Sequence, residues 1–137
     1  MAELKERTIE KEFVPYDLAL ELKELGFDEP CNTCYDKLQM VSSYGKNVFD
    51  YKNYNTSGYV VSRPTFSQAF RFFRAKYNFV SEINVYSTSD GYSFSFKILC
   101  KKYTPYIEAN NAWILYEDAE LACIRKLIEI AKEQNIK

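Results

Sequence analysis

The sequence predicts an α+β fold: three helices and a mostly antiparallel sheet of two hairpins, in the order α-ββ-α-ββ-α. Three observations carry it. Apolar residues recur at helical spacing in three separate segments. Residues 83–98 alternate apolar with polar on either side of Asp90-Gly91, a strong hairpin signal. Finally, the apolar arc of the last helix spans nearly half its circumference and needs cover on two sides, most simply a sheet plus another helix. A chain of 137 residues with 47% apolar and 27% charged side chains is of single-domain size. The domain is therefore expected over 13–137, preceded by an arm or frayed helix at 1–12, where charges alternate and little can be buried.

Each element has a local reason. Pro15 suits a first helical turn, Leu18, Leu22 and Leu25 form a stripe, and Gly26 is placed for a left-handed cap, so the first helix runs from about Pro15 to Leu25. Leu20 points away from that stripe. Leu38–Ser42 and Asn47–Tyr51 are short β-prone runs around Gly45, consistent with the first hairpin. Residues 52–58 read as a polar loop, after which Tyr59, Val60 and Val61 extend a strand or open a third. Thr65 and Gln68 have capping-box spacing, and Phe66, Ala69, Phe70, Phe73 and Tyr77 share a face, giving a second helix over about Thr65–Tyr77. After the second hairpin, Thr104-Pro105 and Asn110-Asn111 mark a loop. The third helix, about Tyr116–Gln134, carries Glu117, Asp118 and Glu120 at its positive end. Its apolar arc comprises Ala119, Leu121, Cys123, Ile124, Leu127, Ile128, Ile130 and Ala131, and also admits a homodimer.

Composition excludes whole classes of chemistry. Histidine is absent, so Ser-His, Cys-His and His-metal mechanisms are unavailable, and four glycines cannot build a Walker or dinucleotide loop. No apolar run approaches the roughly 20 residues that cross a bilayer. Without a recognisable export signal the four cysteines are expected as reduced thiols in a cytosol. Cys31 and Cys34 have the spacing of a zinc knuckle or a redox dithiol. They follow a helix end and Pro30 instead of opening a helix, and Cys100 and Cys123 fall on apolar faces, so buried structural thiols are expected, with no metal and no cofactor. Carboxylates at 117, 118 and 120 are explained by the helix dipole, and Asp17, Glu21 and Glu24 by a solvated face.

One segment stands apart. From Tyr51 to Ser81 there is no Asp or Glu, while Lys52, Arg63, Arg71, Arg74 and Lys76 lie among nine Tyr and Phe residues. The chain's net charge is -1, so this +5 segment leaves the remainder at -6. A divided surface suggests binding. On a helical wheel Phe66, Phe70, Phe73 and Tyr77 go to the core and Arg71 and Arg74 flank it. Phe72 projects on another side, where it meets a ligand or packs on a neighbouring helix. The candidate site is therefore Arg71, Phe72 and Arg74 with Tyr51, Tyr54 and Tyr59. A non-enzymatic protein-binding module is expected; the alternative is a nucleotide or single-stranded nucleic acid binder using the same cations.

Three segments, Phe13–Cys31 (FVPYDLALELKELGFDEPC), Gln68–Tyr77 (QAFRFFRAKY) and Tyr116–Glu133 (YEDAELACIRKLIEIAKE), resemble a family of small uncharacterised proteins of phages and prophages in gut anaerobic bacteria. The resemblance implies work in the cytosol of an infected or lysogenic host. It supplies no chemistry. Relatives usually lack the second cysteine of Cys31-Asn32-Thr33-Cys34, and several carry Glu where this chain has Ala75.

Overall fold

The computed structural model describes residues 11–43, 50–100, 103–109 and 111–136. Element order is α1 (Tyr16–Glu24), β1 (Thr33–Tyr35), β2 (Val41–Ser42), a 3-10 turn (Tyr54–Thr56), β3 (Val61–Arg63), α2 (Phe66–Tyr77), β4 (Val80–Thr88), β5 (Gly91–Cys100), β6 (Tyr103–Glu108) and α3 (Tyr116–Ile136). The fold is α+β, with three helices and two three-stranded antiparallel sheets among the described residues. The residues gather into two compact units divided between Ala69 and Phe70.

In the first unit, Pro15 stands at the N-cap of α1, where its missing N–H costs nothing, and its carbonyl accepts from the Ala19 N–H. Gly26 ends the helix at φ 93°, a conformation that penalises any side chain with a Cβ. The Phe27 N–H then reaches back to Leu22 O at 2.9 Å and the Gly26 N–H to Lys23 O at 3.0 Å, so the last carbonyls of the helix are satisfied. Leu18, Ala19 and Leu22 bury the stripe, and α1 packs on β3. The sheet order is β2-β1-β3, with Tyr35 opposite both Val41 and Val61. Of the predicted 1–12 arm only Lys11 and Glu12 are described. Glu12 O accepts from the Phe66 N–H, and Val14 N–H donates to Pro64 O.

The first hairpin differs from expectation. Gly45 and residues 47–49 lie outside the described residues, and Tyr51 belongs to no strand. Val41–Ser42 pairs backwards with Thr33–Tyr35, because the Asp36 side chain closes a turn at 36–40 that the β-propensity of Leu38 and Met40 concealed. Val61 does open a third strand.

In the second unit, β4 and β5 pair without interruption from Val80↔Leu99 to Thr88↔Gly91, and Ser89-Asp90 forms the loop. The predicted loop at Thr104-Pro105 is instead strand β6, paired to β5 with a register shift between Ile98 and Cys100. Pro105 misled because it cannot donate to a ladder; at a sheet edge that defect is tolerated. Helix α3 packs on β5 and β4. Phe96, Ile98 and Cys100 are buried on β5, and Ala119, Cys123, Ile124, Leu127, Ile128, Ile130 and Ala131 bury most of the expected arc of α3, with Leu121 half-buried. Among the described residues no helix is long and apolar enough to cross a membrane.

Candidate functional site

Of the six sequence-predicted residues, Tyr51, Tyr54 and Tyr59 belong to the first unit and Arg71, Phe72 and Arg74 to the second. Tyr51, Tyr59, Arg71 and Arg74 are exposed. Two corrections follow from burial. Tyr54 is buried: its N–H donates to Ser62 Oγ at 3.0 Å and its hydroxyl to Asn32 O at 3.4 Å. Phe72 is buried rather than projecting, in edge contact with Phe73 and Tyr77 (ring centroids 5.3 and 6.1 Å apart). Of the two outcomes the wheel left open for it, contact with a ligand or packing, the hydrophobic gain from covering a phenyl ring favours packing.

The cations of the acid-free segment have separate duties. Arg63 is buried, its guanidinium 3.8 Å from the Phe13 ring centroid and 5.7 Å from that of Tyr35, with Nη1 donating to Thr33 Oγ1 at 3.4 Å. It is a structural cation–π contact. Lys52 lies over Tyr54 (5.1 Å), and Lys76 over Phe72 and Tyr77 (5.6 Å each). The rings of Tyr54, Phe72 and Tyr77 are thus met by the chain's own charges.

Sequence reasoning missed a feature of the first unit. Asp36 Oδ1 accepts from the Leu38 N–H (2.9 Å) and the Met40 N–H (3.0 Å), and Oδ2 from the Ser42 hydroxyl (3.3 Å). The Asp36 N–H donates to Met40 O and the Gln39 N–H to Asp36 O, with Gln39 in the left-handed region at φ 64°. This network fixes a turn on which Leu38 is 81% and Met40 61% exposed. Lys37 Nζ sits 4.8 Å from the ring centroid of Tyr59, itself 70% exposed, so the loop tyrosine and the turn meet. The loop carrying Tyr59 is equally ordered: Lys23 Nζ donates to Ser57 O and Val60 O, and Asn55 bonds Phe27 O and the Ser62 N–H. The available signal was Asp36 before an apolar-polar-apolar triplet, an Asx turn presenting Leu38 and Met40.

Electrostatics on the turn follow from the same bonds. Hydrogen bonding by the Met40 N–H, joined by those of Leu38 and Ser42, holds the Asp36 carboxyl below its ordinary range. Elsewhere burial raises thiols. Cys31 is pushed up to about 12 by desolvation and then by Glu29, and Cys123 to about 12 chiefly by desolvation. Cys34 is also raised, by burial and by Asp36. These are protonated thiols at neutral pH, the opposite of an activated nucleophile. Among the described residues no group of three metal-ligating side chains converges.

The second unit also has an open cavity of about 400 Å³. Its lining includes Phe96 and Trp113, whose rings stack at 5.8 Å, and Lys126 and Glu129, which are ion-paired at 3.2 Å. No family model, curated protein or solved structure matches this chain.

Proposed function

We propose that the chain is a non-enzymatic protein-binding module of phage or prophage type, acting in the bacterial cytosol through the Asp36-anchored turn and its neighbour Tyr59. The carrying observation is the exposure of Leu38 and Met40 on a turn already fixed by hydrogen bonds. Apolar side chains held in one conformation lose little entropy on docking, and Met and Tyr are enriched at interface centres. Lys37 supplies a positive rim. Absence of histidine and raised thiol pKa values support a binding role over a catalytic one. The phage setting rests on the resemblance of segments 13–31, 68–77 and 116–133.

The test is quantitative pull-down from a bacterial lysate, comparing wild type, Leu38→Asp/Met40→Asp and Arg71→Glu/Arg74→Glu. A partner recovered with wild type should fall at least about tenfold with the first variant, the effect of one interface anchor or more, and persist with the second. Equal recovery with the turn variant overturns the reading. Selective loss with the α2 variant transfers the site to Arg71 and Arg74.

A further inference from the structure

Helix α3 packs on β5 and β4, and the room beside it, toward β6, is the cavity of about 400 Å³. Its helical wall is Ala122, Arg125, Lys126 and Glu129, which recur at spacings of three and four and so share one side of α3. Ala122 contributes only a methyl. On β6, Ile107 lies opposite Ile98 and therefore shares the sheet face that α3 covers.

The floor is aromatic and held in place. Trp113 exchanges two main-chain hydrogen bonds with Phe94, each 2.7 Å, and its ring stacks on that of the buried Phe96. Trp113 itself is only half-buried, so a flat ring can be laid against it without prior rearrangement of the site.

Charge selects among flat ligands. Glu108 also borders the cavity, but it lies opposite Lys97, out of phase with Phe96 and Ile98, so its carboxylate belongs to the other face of the sheet. The charged side chains on the α3 face are then two cations, Arg125 and Lys126, and one carboxylate, Glu129, ion-paired with Lys126 at 3.2 Å. The balance is one positive charge. A monoanion neutralises it, whereas a phosphate monoester, at about two negative charges, overshoots. The forked donors of Arg match a carboxylate, and a cavity of this volume holds about one or two rings. We propose that the cavity binds a small aromatic carboxylate, its ring against Trp113 and its carboxylate on Arg125. All of these residues belong to the second unit and none to the turn at 36–40.

Trp113 is the chain's only tryptophan, so its fluorescence, excited at the red edge where tyrosine is silent, reports on this cavity alone. Titrating the full chain with 3-phenylpropionate should give a saturable change with Kd below about 1 mM. The neutral 3-phenylpropionamide, with the same ring, should bind about tenfold or more weakly, for want of a charge-assisted hydrogen bond. Arg125 is exposed, and Arg125→Gln should weaken the carboxylate about tenfold or more while leaving the amide unchanged, with the circular dichroism spectrum retained. Ala122→Phe fills the cavity and should abolish the response to both. No saturable response up to about 10 mM overturns the inference. So do equal affinities for carboxylate and amide, unchanged carboxylate binding by either variant, or tighter binding of adenosine monophosphate.

Discussion

The Asp36 carboxylate is stabilised by the N–H groups that shape its turn, so its folded pKa lies below the unfolded one. The sign is that of a depressed acid: the stabilisation is present above the unfolded pKa and is lost as pH falls through the folded value. Acidification should therefore loosen residues 36–42 first, with the protection factors of the Leu38 and Met40 amides, corrected for the intrinsic pH dependence of exchange, falling at low pH while those of α3 are retained; NMR-detected hydrogen exchange reads this directly. If the Leu38 and Met40 amides show no such pH dependence, the Asp36 bonds do not govern the turn. At this scale the sequence was a poor guide to exposure. Tyr54 and Phe72 look alike to Tyr51 and Tyr59 in composition, yet two rings are buried and two are not. Composition cannot show that Lys52 or Lys76 would be laid over the chain's own rings.

Elements were legible wherever caps and periodicity agreed. The Thr65/Gln68 box is present in both directions, Gln68 N–H to Thr65 Oγ1 at 3.2 Å and Thr65 N–H to Gln68 Oε1 at 2.9 Å. Gln68 Nε2 also donates to Pro30 O at 2.8 Å, tying the start of α2 to the loop after α1. Thr65→Ala should cost about 1 kcal/mol of stability, the usual value of an N-cap hydroxyl, measured as a shift in the urea midpoint with unchanged slope. Gly26 and Pro15 bounded α1 for equally local reasons. Strands β1 and β6 were illegible because their partners are distant or their composition is atypical: three residues at 33–35 show too little alternation, and Pro105 argues against a strand until its edge position is known.

For the whole molecule, the α+β class was readable from the breadth of the arc on α3, since that helix does need the sheet it covers. Leu127 is fully buried on that helix. Leu127→Ala should cost about 2–5 kcal/mol through lost burial and the cavity left behind, seen as a lower urea midpoint; a change under about 0.5 kcal/mol, the range of a surface site, would mean the arc is not a core. The division into two three-stranded sheets was hidden, because β6 joins a hairpin whose own signal was complete without it and β3 joins β1, a strand too short to be read.

The amide of Asn55 has a practical consequence. Its nitrogen donates to Phe27 O at 2.9 Å and its oxygen accepts from the Ser62 N–H at 2.8 Å, yet Asn55-Thr56-Ser57 is also an acceptor triplet for N-linked sugar. Passage through a eukaryotic secretory pathway would set oligosaccharyltransferase in competition with folding for that nitrogen. Yeast or mammalian secretion is thus an unfavourable route for producing this chain, and a bacterial cytosol, which lacks the competitor, is the better one.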